Sequence, residues 1–203
     1  MRKALIVGID YYSNVSELFG CVNDAYSIKS VLDRHSDGTI NFSTKLEVAT
    51  SDKSAISRRE LKDLCNELFK DDSDVALFYF SGHGYVENTG GYLITSECKD
   101  GDDGFPMSEL LQIANESKAR NKVIILDCCH SGFAGKATGA DNNSTLSEGM
   151  TILTASSESQ YAMEENGSGV FTSLLVDALN GGASNLVGEI TPGSVYAHID
   201  QSL

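Results

Sequence analysis

The sequence predicts an α/β protein, a three-layer α/β/α sandwich on a mostly parallel central sheet. Three observations carry this. Short apolar runs alternate with helical patterns along the chain. Three of those runs are apolar throughout, as strands covered on both faces are. Two of them stop abruptly at clusters of reactive side chains, where open α/β sheets keep their sites.

The strands are, in order, Lys3–Ile9 (KALIVGI), Lys45–Thr50 (KLEVAT), Asp74–Phe80 (DVALFYF), Lys122–Asp127 (KVIILD) and Met150–Ser156 (MTILTAS). Between the first two, residues 23–35 place Ala25, Ile28, Val31 and Leu32 at helical spacing. Residues 55–70 do the same with Ile56, Leu61, Leu64, Leu68 and Phe69. A third helix is expected to start at Pro106, whose fixed φ suits a first turn. A fourth, GVFTSLLVDALNGG, is closed by Gly181 and Gly182. Strand–helix alternation of this kind implies right-handed crossovers. Two segments interrupt it: residues 88–105, with a Gly-Gly turn and an acidic cluster, read as a hairpin and loop, and residues 135–149, small, polar and Gly-rich, read as a linker. The stop soon after a last helical stretch, GSVYAHIDQSL, reads as a module cut from a longer protein.

At 203 residues the chain is expected to form one domain. Its 15 Lys and Arg against 29 Asp and Glu give a net charge of −14, which argues against a nucleic-acid partner and suits a cationic peptide. The opening apolar run ends at Asp10, too early for a signal peptide, and no run approaches a membrane span. The expected location is therefore cytoplasmic. Five scattered cysteines (Cys21, Cys65, Cys98, Cys128, Cys129) do not suggest a disulfide framework there.

The chemistry concentrates at two strand ends. Asp74–Phe80 runs into Ser-Gly-His-Gly, and Lys122–Asp127 into Cys-Cys-His-Ser-Gly. Neighbouring parallel strands would bring His83 and the Cys128–Cys129 pair to one rim. A thiol needs a base, because the thiolate is the nucleophile. Gly82 and Gly84 permit a sharp turn and close approach of substrate. Successive side chains of an extended segment face opposite ways, so only one thiol can face His83; spacing does not say which. Zinc held by Cys-Cys-His and His83 is the rival reading, but it lacks the Cys-x₂₋₄-Cys spacing of structural sites.

FYFSGHG followed some forty residues later by ILDCCHSG resembles the caspase-like cysteine peptidases, and among them the metacaspases and their bacterial relatives. The resemblance extends over nearly the whole chain: ALIVGIDYY looks like the family's first strand and LFGCVNDA like its first loop and helix. TILTASSESQYAMEENGSGVFTSLLVDAL resembles its small-subunit half. The resemblance implies a caspase-like sheet divided into a large-subunit-like part (1–134), a linker (135–149) and a small-subunit-like part (150–203). It implies a dyad in which His83 activates the thiol and protonates the leaving amine. Cys129 would be the nucleophile, Cys128 a packing thiol, and the amides of Gly84 and Cys129 the oxyanion hole. His130 would support the loop.

It also implies an acidic pocket for the residue before the cut, built from Cys21, Asp24, Ser81 and Asp127. Two carboxylates in one desolvated pocket call for a cation, and Arg satisfies them bidentately. The bland reading of Asp24 is a helix N-cap, a role Asn23 could also fill. Many relatives cut themselves in the linker; Lys136 is the only Lys or Arg after Val123, so an Arg/Lys-specific enzyme would self-process there. Some metacaspases are activated by calcium, for which Asp100, Asp102 and Asp103 are candidate ligands; no cofactor is otherwise required. The expected partners are a protein or peptide substrate with Arg or Lys before the cut, and an activating partner or further domain, with neither nucleic acid nor membrane. The alternatives are a defence or signalling protease of non-basic specificity and an inactive interaction module.

Overall fold

A computed structural model describes residues 1–128, 147–155, 164–165 and 168–202. Cys129, His130 and Lys136 lie outside them, as does most of the segment read as a linker.

Five parallel strands form the central sheet in the order β2 (Ser43–Ala49), β1 (Arg2–Ile9), β3 (Val75–Ser81), β7 (Asn121–Asp127) and β8 (Met150–Thr154). The three runs that are apolar throughout occupy the middle, where both faces are covered. β1, β3 and β7 are buried almost end to end, while the edge strands β2 and β8 are only partly so.

Alternate residues of each strand feed two separate cores. On one side Leu5, Val7, Phe78, Phe80, Ile124 and Leu126 pack against α2 (Arg58–Phe69) and α3 (Met107–Asn115). On the other Ala4, Ile6, Leu77, Tyr79, Val123 and Ile125 pack against α1 (Cys21–Asp33), α4 (Val170–Asp177) and α5 (Pro192–Ser202). The result is the α/β/α sandwich expected from the sequence.

The helix ends show how local sequence sets the boundaries. α2 begins at a capping box: Ser57 Oγ accepts from the Glu60 amide, and the Glu60 carboxylate accepts from the Ser57 amide. α3 starts at Met107, one residue later than expected. Pro106 closes the short strand β6 (Phe105–Pro106), and it precedes the helix as its cap with extended ψ. α4 passes into a wider turn over Ala178–Gly182, where Gly181 takes φ 121°, open to glycine alone at little cost.

The predicted hairpin is real but larger. β4 (Gly84–Glu87) and β5 (Gly90–Leu93) pair antiparallel, and β6 adds a third strand. β4 is too short and mixed for its periodicity to be legible in sequence. The shortest pair, β9 (Glu164–Glu165) and β10 (Ser168–Gly169), leads directly into α4. Among the described residues no helix is long and apolar enough to cross a membrane.

Candidate active site

Register brings the two reactive strand ends together. Gly8 on β1 lies beside Ser81 on β3, and Ser81 beside Asp127 on β7, all at the carboxyl rim. These three positions continue the Ile6, Tyr79 and Ile125 rows, so they face α1 and α4. Gly8 makes close approach possible: a Cβ there would lie 2.5 Å from the Cys21 carbonyl oxygen and 2.8 Å from Ala25 Cβ. With no side chain at Gly8, the first turn of α1 settles onto the sheet and carries Asp24 to Ser81.

That first turn is capped from a distance. Gly20 precedes the helix and supplies no side-chain cap; the Asp10 carboxylate accepts from the amides of Cys21 (2.9 Å) and Val22 (3.4 Å) instead. The N-cap reading of Asp24 is thereby replaced. Asp24 sits inside the helix, is 2% exposed, and takes the Ser81 hydroxyl (3.3 Å) and the Gly169 amide (3.2 Å to each oxygen). Asp127 is 6% exposed and accepts the Thr172 hydroxyl at 2.6 Å. A methyl group at Gly169 would stand 2.7 Å from Asp127 Oδ2 and 3.2 Å from Asp24 Oδ2, so both carboxyl groups close on the Gly169 backbone and only glycine fits between them. Cys21 completes the group. Burial pushes its thiol well above the ordinary range, the Ser81 hydrogen bond pulls the other way, and Asp10, Asp24 and Asp127 add to the rise. Cys21 is thus a neutral wall beside the two carboxyl groups.

His83 is held from the loop after β1. Its backbone amide donates to the Tyr12 hydroxyl at 2.8 Å, and the two rings pack tilted, centroids 4.8 Å apart. Its Nε2 lies 2.9 Å from the Ser16 carbonyl oxygen. A carbonyl only accepts, so this bond puts the proton of a neutral imidazole on Nε2 and leaves the lone pair on Nδ1. Tyr12 also explains Gly82, where a Cβ would meet the Tyr12 hydroxyl at 2.7 Å. Sequence reasoning missed both Tyr12 and Ser16. The aromatic pair in Gly-Ile-Asp-Tyr-Tyr was a signal for the first, whereas a backbone carbonyl leaves none.

The Ile94 amide donates to the His83 carbonyl at 3.0 Å, so the next pair, Gly84–Leu93, falls on the non-bonded step of the ladder. The Gly84 amide consequently points away from β5. Cys128 is 1% exposed and belongs to the core on the α2/α3 side. Cys129 lies outside the described residues.

For calcium, Asp103 turns its carboxylate onto the amides of Lys99 and Asp100 (3.4 Å each), closing the turn at Gly101–Asp103. Asp100 caps that same turn, and the Asp102 side chain lies outside what is described. Among the described residues no group of three or more His, Cys, Asp or Glu could hold a metal ion.

Residues 1–202 match the family model described as the caspase domain. Metacaspase-1 of Schizosaccharomyces pombe is 31% identical over 86 residues, 41% of this chain and 20% of that protein. Metacaspase-4 of Arabidopsis thaliana is 29% identical over 148 residues, 64% of this chain and 34% of that protein. The chain thus spans about a third or less of these relatives. The crystal structure of protein GSU0716 from Geobacter sulfurreducens superposes over 100% of this chain and 89% of its own, with a TM-score of 0.72 at 15% identity, a likeness of fold.

Proposed function

Because the chain belongs to the caspase-domain family of cysteine-type endopeptidases, we propose that it cuts peptide bonds after Arg or Lys with a His83–Cys129 dyad. In this reading His83 Nδ1 takes the thiol proton, and the Cys129 sulfur attacks the carbonyl carbon before the scissile bond. The resulting oxyanion is met by the amides of Gly84 and Cys129. His83 returns the proton to the leaving amine, and water, deprotonated by the same imidazole, hydrolyses the thioester. The basic side chain enters a pocket walled by Cys21, Asp24, Ser81 and Asp127. One observation supports the specificity: two carboxyl groups, each under a tenth exposed, converge on Gly169 at the rim where β3 leads to His83. Buried carboxylates side by side repel, and a guanidinium or ammonium relieves this.

Self-processing at Lys136 belongs to the same proposal, with 1–134 as the large part, 135–149 as the linker and 150–203 as the small part. So do a cytoplasmic location, an activating partner or further domain, and calcium as an activator acting near Asp100, Asp102 and Asp103.

The test is a fluorogenic peptide panel varying only the residue before the cut, as Arg, Lys, Asp or Leu, with and without calcium. Turnover confined to Arg and Lys is expected. Turnover of Leu or Asp would discard the pocket and keep the dyad. Silence on every peptide, joined to a Cys129 inert to thiol-reactive probes, would replace the enzyme by an interaction module.

A further inference from the structure

Beneath the acidic pocket runs a buried chain of hydroxyls that the reaction itself does not need. Tyr79 on β3 is fully buried, Thr172 on α4 is 1% exposed, and their oxygens lie 2.6 Å apart. Thr172 Oγ1 is also 2.6 Å from Asp127 Oδ2, to which it donates. A hydroxyl has one proton. Thr172 gives it to the carboxylate, so the Tyr79–Thr172 bond can form only with Tyr79 donating. The chain is directional, Tyr79 to Thr172 to Asp127. Burial holds the tyrosine well above its ordinary range, with Asp127 and Asp24 adding to the rise, which keeps that proton in place.

Helix threonines commonly return the hydroxyl to a carbonyl one turn back in their own helix. Thr172 gives its hydrogen to a different strand. Its β-branch restricts χ1, so the hydroxyl is aimed rather than free to rotate. Three residues earlier the Gly169 amide meets Asp24. One turn of the chain entering α4 therefore holds both carboxylates, one by an amide and one by a hydroxyl.

We propose that Thr172 is a specificity-determining positioning residue of the basic-residue pocket, its hydroxyl, supplied by Tyr79, fixing the direction in which the Asp127 carboxylate faces the substrate. This rests on the Arg/Lys reading above. It also makes α4, which follows the linker in sequence, a structural condition for selectivity in a pocket whose other walls precede the linker.

The test uses the full chain with Cys129→Ala, so that binding is read without turnover. Two dye-labelled hexapeptides, identical except for Arg or norleucine before the expected cut, are titrated by fluorescence anisotropy. The Cys129→Ala protein is expected to prefer the Arg peptide. Adding Thr172→Val should weaken the Arg peptide by about tenfold or more, the worth of one hydrogen bond to a charged group, and leave the norleucine peptide within about twofold. Thr172→Ser, which restores the hydroxyl, should recover most of the loss. Equal weakening of both peptides by Thr172→Val, with Thr172→Ser no better, would make the residue merely structural and overturn the proposal, as would an unchanged Arg affinity. If Cys129→Ala alone does not discriminate between the peptides, basic specificity itself fails and the inference with it. That outcome is read in the arm carrying no change at Thr172, so the two failures are distinguishable.

Discussion

The two halves of the candidate site are built in different ways. The histidine half is local to the first half of the chain: the loop after β1 supplies the Tyr12 hydroxyl and the Ser16 carbonyl, and β5 leads to the Ile94 amide on the His83 carbonyl. The carboxylate half is assembled across the chain. Asp24 and Asp127 receive Gly169 and Thr172, 145 and 45 residues away in sequence. A base needs one fixed orientation, which a short loop can impose with few contacts. Two buried carboxylates need several donors at once, and here Ser81, Gly169 and Thr172 supply them. The histidine half should therefore govern the rate of bond cleavage, and the carboxylate half should govern which peptide is cut.

The largest test removes the chemistry. His83→Ala should lower kcat by about 10²- to 10⁴-fold, the usual worth of a positioned acid–base group, and Cys129→Ala should abolish turnover. Cys128→Ala, a change in the core, should keep most activity and lose some thermal stability. A dead Cys128→Ala with a live Cys129→Ala, in the same peptide assay, would exchange the roles of the two thiols.

The next test separates the halves. Asp127→Asn or Asp24→Asn should cost Arg peptides about 2–5 kcal/mol in kcat/KM, the scale of losing one member of a buried charge pair. Leu peptides should change little. Equal losses on both peptides would merge the halves that this comparison separates.

A smaller effect is expected at Tyr12. Tyr12→Phe keeps the ring beside His83 but removes the acceptor for its amide, leaving a half-buried donor unpaired at a cost of about 1 kcal/mol. The loss should appear in kcat, with KM unchanged, and in a slower alkylation of Cys129 by iodoacetamide. A change confined to KM would place Tyr12 with the pocket instead.

The smallest concerns a region remote from both. Ser57→Ala removes the α2 cap and should cost about 1 kcal/mol of stability in urea denaturation, with kcat and KM unaltered. The capping bonds to Ser57 hold the Glu60 carboxyl below its usual range. A carboxyl lowered in the folded state stabilises it above the unfolded pKa and loses that contribution as pH falls through the folded one. The Ser57→Ala difference should accordingly shrink in acid.

How much was legible follows from the range of each interaction. β1, β3 and β7 were readable because a strand covered on both faces must be apolar at every position, and the helices because one face must repeat every three to four residues. The edge strands β2 and β8 were found with less certain ends, and β4 and β6 were missed, since two to four residues carry no period. Ser-Gly-His-Gly and Cys-Cys-His-Ser-Gly stood out because two apolar strands each run directly into a cluster of reactive side chains. Asp24 was harder. An acidic residue in a first helical turn is ordinary, and only the contact of α1 with Gly8 turned its carboxylate toward Ser81.

The sequence alone determined the sheet, its two helical layers and the identity of the reactive side chains, because burial periodicity and side-chain chemistry are written residue by residue. Only the tertiary structure decided that Tyr12 and Ser16 orient His83, that Asp10 caps α1 in place of Asp24, and that Gly169 and Thr172 meet the two carboxylates. Those choices depend on register between strands and on how closely helices approach the sheet, and such distances are set by the packing of residues far apart in the chain.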